Sequence, residues 1–184
     1  MSKIQNSKVK PQNAPRTMAI ILGIDPGTKV MGWGVVRDGA GADNTEVVGY
    51  GVFKVNPKLT LSERLKTIFA GLEKVIKSYH PDEMAVEEPF IAENPRTALM
   101  VGRAQGIALL AAGRHNIPAF QYTPSLIRQR VTSFGGSDKT QVQEAIKMQL
   151  NLAVIPEPPD ASDALAVALC HLQESNMRRR LSSS

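Results

Sequence analysis

Apolar residues along this chain follow two different periods, and the changes of period divide it into strands and helices. Short apolar runs at 19–25, 32–36 and 47–55 are joined by turns, so we expect three strands in an antiparallel meander. From Leu61 to Tyr79 the apolar residues recur every three or four positions, which predicts an amphipathic helix. Ser62 is its predicted N-cap, and His80-Pro81 ends it.

After this helix, strands and helices alternate. The predicted elements are a strand at 84–87, a helix at 94–115, a strand at 119–122, a short helix from Thr123-Pro124, a helix around 142–150 and a last helix at 160–176. Strands that are linked through helices pair in parallel. The pattern therefore predicts an α/β fold, a five-stranded mixed sheet with helices on both faces. In such a sheet the carboxyl ends of the first and fourth strands can be neighbours.

Four acidic residues occupy the places where these elements would meet. Asp25 and Glu87 each end a short apolar run, and Asp160 and Asp163 share one face of the first turn of the last helix. Each acid has a purely structural alternative, because Asp is favoured at helix starts and in turns. Taken together the four predict a divalent-metal site, because carboxylate oxygens are the ligands that a hard cation such as Mg²⁺ prefers. Without metal, their repulsion should raise at least one pKa.

The charge of the chain is unevenly distributed. Of the net charge of +5, residues 1–17 carry four bases and no acid, and Arg178, Arg179 and Arg180 lie near the other end. We predict a disordered basic arm over 1–17 and a basic flexible tail over 177–184. Bases dominate between Arg96 and Lys147, which suits a polyphosphate substrate beside the acids but equally describes a solvated face.

No apolar stretch approaches the roughly 18–20 residues that span a bilayer. The polar N-terminal segment has no apolar signal-peptide core, so we expect a cytoplasmic protein that does not contact a membrane. The single cysteine, Cys170, lies among apolar residues and is predicted to be a packed residue of the last helix.

Several motifs match one known family in order and spacing. They are ILGIDPGT at 21–28 with GWGV at 32–35, AVEEPF at 85–90, GGSDKTQVQ at 135–143 and DASDALA at 160–166. Together they resemble RuvC, the bacterial Holliday-junction resolvases, over about residues 18–173.

The resemblance implies an RNase H-like nuclease domain, here over 18–176, that forms a homodimer and nicks four-way junction DNA. It implies Mg²⁺ or Mn²⁺, two ions in each site, and a branch-migration helicase as partner. The matching residues are Asp25, Glu87, Asp160 and Asp163 as catalytic, metal-binding acids, Phe90 as a contact to unstacked bases, and Arg128 and Lys139 as contacts to DNA near the scissile phosphate. Lys139 is counted with the catalytic residues because it would steady that phosphate.

Other functions remain open at this point. The segment around Asp25 also resembles the phosphate loop of actin-like ATPases, although the second lobe of those proteins has no counterpart here. A pre-ribosomal-RNA nuclease of similar fold and a non-catalytic junction-binding subunit are further alternatives. For the dimer contact we expect the Ala/Gly-rich helix at 94–115, with Ala108 in the interface, or else packing of that helix inside its own monomer.

Overall fold

The computed structural model of the protein describes residues 18–39, 45–89 and 95–181. The strands within these ranges are β1 (Ile20–Asp25), β2 (Val30–Arg37), β3 (Glu46–Lys54), β4 (Glu83–Glu87) and β5 (Ala119–Tyr122). The helices are α1 (Leu61–Tyr79), α2 (Pro95–Arg114), α3 (Pro124–Thr132), α4 (Lys139–Gln149) and α5 (Pro159–Leu181). The predicted order of strands and helices is confirmed. Phe90 and the predicted arm lie outside the described residues.

The five strands form one mixed sheet in the order β3-β2-β1-β4-β5. The first three strands are antiparallel neighbours, whereas β4 pairs in parallel with β1 on one side and with β5 on the other. This is the predicted arrangement of a meander followed by helix-linked strands. It makes β1 and β4 adjacent, so their carboxyl ends meet at the same edge of the sheet.

The alternation of side chains along β1 separates the two cores of the protein. Leu22 and Ile24 pack into the core that α1 and α2 cover. Ile21 belongs to the opposite core, built with α3, α4 and α5. Because strand side chains alternate with period two, Gly23 and Asp25 lie on the Ile21 face. Asp25 is thereby directed toward the helix that carries the other two aspartates.

Two glycines bring α5 close to the sheet. A Cβ on Gly23 would lie 2.2 Å from the carbonyl oxygen of Ala164, and a Cβ on Gly32 would lie 1.9 Å from that of Asp160. These contacts are with helix backbone, which no rotamer change can move. The absence of side chains at both positions therefore lets the first turns of α5 lie directly on β1 and β2.

The central part of α5 is core. Cys170 is buried, as predicted, and so are its neighbours from Ala164 to Leu172. Although this helix is long, no helix in the described ranges is both long and apolar enough to cross a membrane.

The far end of α5 differs from the prediction. The helix continues to Leu181, so residues 177–181 are helical rather than part of a flexible tail. The Arg178 guanidinium donates to the hydroxyl of Tyr122 at 3.0 Å and lies 5.6 Å from the centre of the Phe120 ring. These contacts with β5 hold the last turns of the helix against the sheet.

Two further details of the helices also differ from the prediction. The N-cap of α1 is Thr60 and not Ser62, because Thr60 and Glu63 form a capping box. The Ala108 side chain is fully buried in the core of its own monomer, together with Ala104, Ala111 and Ala112. Ala108 therefore cannot be a dimer contact in this fold, and the alternative of packing inside the monomer is correct for that face of α2.

Candidate active site

The two strand-end acids are neighbours at the carboxyl edge of the sheet. The parallel register of β1 and β4 ends with Ile24 opposite Val86, so Asp25 and Glu87 follow side by side. Both are on the face that α5 covers, by the same alternation that directs Asp25. The predicted meeting of these two acids is confirmed.

The carboxyl groups of this pair hold protons more tightly than ordinary acids. Burial is the largest cause that raises the pKa of Asp25 to about 8, followed by the charges of Glu87, Asp163 and Asp160. Burial and Asp163 raise the pKa of Glu87 to about 7, although the cations Arg128 and Lys139 act in the opposite direction. The predicted repulsion among close carboxylates is thus present, and desolvation adds to it.

The two acids of α5 do not contribute equally. Asp163 lines the same pocket as Asp25 and Glu87. Asp160 does not line this pocket, but it lies near enough to raise the pKa of Asp25. Its backbone oxygen is the atom that packs over Gly32. The structure therefore brings three predicted acids together and places the fourth at their margin.

A lysine already neutralises part of this charge. The Nζ of Lys139 donates to Oδ2 of Asp163 at 2.8 Å, and this bond is the main reason that the pKa of Lys139 is raised. Lys139 is the first residue of α4, whose N-cap is Asp138 in a capping box with Gln141. The cap fixes the start of the helix and with it the place from which the lysine side chain reaches the acids.

The acids and cations line one pocket of about 300 Å³. Its wall contains the three acids, the cations Arg128 from α3 and Lys139 from α4, and apolar side chains. The lining residues are Asp25, Glu87, Pro124, Ile127, Arg128, Ser137, Lys139, Val142, Asp163 and Ala166. Anions that enter this pocket meet cations, and cations meet carboxylates, so the site suits a phosphate bound together with metal ions.

The donor atoms fit hard divalent cations. Carboxylate oxygens, with no cysteine or histidine in the lining, are the ligands that Mg²⁺ and Mn²⁺ prefer. Among the described residues, however, no three Asp, Glu, His or Cys side chains stand as a ready set of ligands. The ammonium of Lys139 lies against Asp163 instead. Metal binding would thus replace protons on Asp25 and Glu87 and compete with this lysine.

Sequence reasoning overlooked one polar residue of the pocket wall, Ser137. Its hydroxyl donates to the backbone oxygen of Phe134 at 2.8 Å, which ties the loop after α3 together. The available signal was its position two residues before Lys139 in a Gly-Gly-Ser-Asp-Lys run. The role predicted for Phe90 is not tested, because that residue lies outside the described ranges.

The fold and this edge of the sheet define an RNase H-like α/β domain with an acidic site, and comparison with known proteins specifies the family. The family model described as crossover junction endodeoxyribonuclease RuvC matches residues 21–171. This chain belongs to that family.

Individual relatives agree with this assignment. The crossover junction endodeoxyribonuclease RuvC of Desulforamulus reducens is 48% identical over 157 residues, which are 85% of this chain and 95% of that protein. That of Alkaliphilus oremlandii is 43% identical over 85% of this chain and 94% of its own length. A solved structure described as T. thermophilus RuvC in complex with Holliday junction substrate superposes with a TM-score of 0.82. It has 32% identity and covers 89% of this chain and 98% of that one.

Proposed function

We propose that this protein is a structure-selective endodeoxyribonuclease that resolves four-way DNA junctions by paired symmetric nicks, in recombination and DNA repair. The observation that carries the proposal is the pocket that Asp25, Glu87 and Asp163 line together with Arg128 and Lys139. The membership of the RuvC family supports it, as does the likeness to a structure described with a Holliday junction. Both are less compatible with an RNA nuclease or an ATPase fragment.

In this proposal Asp25, Glu87, Asp160 and Asp163 hold two divalent ions, Mg²⁺ or Mn²⁺. When bound, such ions supply an activated water and neutralise charge on the phosphate and the leaving oxygen. Asp25 would be the candidate for contacting both ions, because it stands partly buried at a strand end and the charges of all three other acids act on it. The protein itself needs no general base, so no histidine is assigned to the reaction.

The two cations would position the scissile phosphate. Lys139 offers an ammonium that can leave Asp163 for a phosphate oxygen, and Arg128 offers a planar guanidinium fork that can pair with two phosphate oxygens. Arg128 therefore serves to clamp a phosphate and not to transfer a proton. Both side chains line the same pocket as the strand-end acids, and their charges lower the pKa of Glu87 against the effect of burial.

The test is cleavage of a mobile four-way junction with Mg²⁺ and with Mn²⁺, beside a linear duplex and an RNA of the same sequence. We expect paired nicks in the junction alone. Asp25→Asn is the matched variant, and it should bind the junction but not cleave it. Cleavage by this variant within tenfold of the wild type would contradict the assignment, and preferential RNA cleavage would favour the alternative nuclease.

We also propose that the protein acts as a C2 homodimer, because two symmetric nicks need two sites related by the symmetry of the junction. The outer face of α2 is the proposed contact. Leu99 and Leu110 are 58% and 59% exposed on it, and Cβ atoms on Gly102, Gly106 and Gly113 would meet no atom within 4 Å apart from the backbone of the helix itself and the adjacent residues. These five positions follow one another at spacings of three and four along the helix.

Sedimentation tests the dimer. Leu110→Arg should yield monomers at micromolar concentration, whereas Val154→Arg, at another exposed apolar residue, should not. A dimer in both variants would move the interface away from α2. A wild type that is monomeric and still makes paired nicks would refute the proposed dimer.

Two predictions for this function remain from the sequence. Phe90→Ala should reduce junction cleavage more than duplex binding, since base stacking on an aromatic ring contributes roughly 1–3 kcal/mol. A large fall in melting temperature would assign Phe90 to the core instead. The branch-migration helicase is an expected partner, to be tested by co-purification with the dimer.

A further inference from the structure

One large aromatic side chain near the pocket is left in solvent. Phe134 is 68% exposed, in the loop that joins α3 to α4. Burial of a phenylalanine side chain contributes roughly 1.5–3 kcal/mol to stability, and this ring forgoes much of that contribution. A core role does not explain its position.

The backbone around Phe134 is nonetheless well fixed. Its N–H donates to Oγ1 of Thr132 at 3.2 Å, and its carbonyl accepts from Thr132 Oγ1 at 2.7 Å and from Ser137 Oγ at 2.8 Å. Ser133 takes the left-handed conformation, with a φ of 62°. A loop with this many internal hydrogen bonds presents Phe134 from a defined place.

The ring of Phe134 also packs against a glycine, Gly136. A Cβ on Gly136 would lie 2.8 Å from Cε1 of Phe134 and 2.9 Å from Cζ. The ring therefore lies against the backbone of Gly136, in space that any other residue would fill. Such support limits the freedom of an exposed side chain and prepares it for contact with another flat surface.

The place of Phe134 is continuous with the active site. The Ser137 N–H donates to the Phe134 carbonyl at 3.3 Å, so the two Cα atoms are about 7 Å apart or less, as in a turn. Ser137 lines the acidic pocket, and it also lines a neighbouring groove of about 580 Å³ together with Phe134 and Met148. The groove leads away from the pocket along α4.

We propose that Phe134 contacts a nucleobase of the cleaved strand, one or two nucleotides from the scissile phosphate, and so positions that strand in the pocket. The inference rests on the proposed function, since it requires a nucleic acid in the active site. A strand held at Lys139 must leave the pocket beside Ser137 or on the opposite side, and successive nucleotides of one strand rise by about 3.4 Å along the axis of a duplex. An exposed ring at one rim of the pocket suits stacking on an unpaired base, which is tolerant of sequence.

The test compares Phe134→Ala with Phe134→Tyr and with the control Met148→Ala. Met148 is 78% exposed in the same groove, but it stands on α4 away from the pocket. Single-turnover cleavage of a four-way junction is measured with Mg²⁺. In EDTA, the fluorescence of 2-aminopurine placed at each nucleotide beside the cleaved bond reports stacking.

We expect Phe134→Ala to slow single-turnover cleavage about tenfold or more and to lose the quenching of 2-aminopurine, with junction affinity changed less. The tyrosine variant should restore both signals, and Met148→Ala should behave as the wild type. All melting temperatures should stay within about 2 °C of each other, because neither ring nor thioether is core.

Several results would overturn the inference. They are unchanged cleavage and fluorescence in Phe134→Ala, an equal loss in Met148→Ala, a large fall in melting temperature, or a change of oligomeric state that accompanies the loss. The last result would mark the groove as a protein interface. A wild type that fails to cleave junctions in the same assay would refute the proposed function itself, which keeps the two failures separate.

Discussion

Asp25→Asn should stabilise the metal-free protein while it removes activity. The pKa of Asp25 is raised from 3.8 to about 8, so between these pH values the folded chain binds a proton that the unfolded chain has released. The free energy of unfolding therefore falls as the pH rises through this window. An asparagine cannot ionise, so the free energy of unfolding of the variant does not fall in this way.

The size of the effect follows from the shift. Four pKa units at about 1.4 kcal/mol each give an upper bound of about 6 kcal/mol above pH 8. Neighbouring acids can take up protons and Lys139 can approach, so we expect about 1–3 kcal/mol. For a domain of this length that corresponds to a rise in melting temperature of about 3–10 °C at pH 8, and of almost nothing at pH 4.

The assay is thermal unfolding of both proteins in EDTA from pH 4 to pH 8.5, repeated with Mg²⁺ or Mn²⁺. Metal should stabilise the wild type and have little effect on the variant. Glu144→Gln, which removes an acid from the exposed surface of α4, should change the melting temperature little at any pH. A variant that melts below the wild type at pH 8 in EDTA would refute the electrostatic reasoning.

Three more predictions concern parts of the chain around this site. Gly32→Ala places a Cβ 1.9 Å from a carbonyl oxygen of α5, so it should displace that helix. We expect the variant to lose about 2–4 kcal/mol of stability in urea titrations and to cleave more slowly. An unchanged unfolding midpoint would contradict the close approach of α5 to the sheet. His171→Ala removes a buried ring bonded to the Tyr122 hydroxyl at 2.6 Å and to Glu83 at 2.7 Å, and should cost about 2–4 kcal/mol. His171 lowers the pKa of Glu83. The share of the stability loss that comes from the contact between His171 and Glu83 should therefore shrink as the pH falls below about 4.5. Equal losses at pH 3.5 and pH 7 would refute the pairing. Deletion of residues 1–17, which carry four bases, should leave cleavage chemistry intact but flatten the salt dependence of junction binding, as measured by titration at several salt concentrations; an unchanged slope would mean that the arm does not meet phosphate.

The mixed sheet could be predicted because the period of apolar residues follows burial directly. The order of strands and helices predicted that the carboxyl ends of the first and fourth strands can be neighbours, and the parallel register of β1 and β4 confirms that Asp25 and Glu87 lie side by side. The strand at 119–122 was predicted with its observed bounds for the same reason. Local pattern is sufficient wherever packing follows the period of the strand or helix.

One error has a local cause, and the others lie where distant contacts decide. Ser62 and Thr60 are both acceptable caps by type, and the capping box with Glu63 selects Thr60. The basic residues after 176 are typical of a tail, but contact of Arg178 with β5 keeps them helical. The face of α2 that packs inside the monomer could not be read from small residues alone, because Ala and Gly fit both a core and an interface.

The close docking of α5 also bears on how the chain is made. Asp25 and Glu87 belong to the first half of the sequence, whereas Asp160 and Asp163 arrive with the last helix. During synthesis, a chain that has reached only β5 carries half of the acids and an uncovered sheet face. The nuclease site we propose would therefore be assembled last, after α5 has left the ribosome and settled on Gly23 and Gly32. Prematurely terminated chains would accordingly be unable to cut DNA.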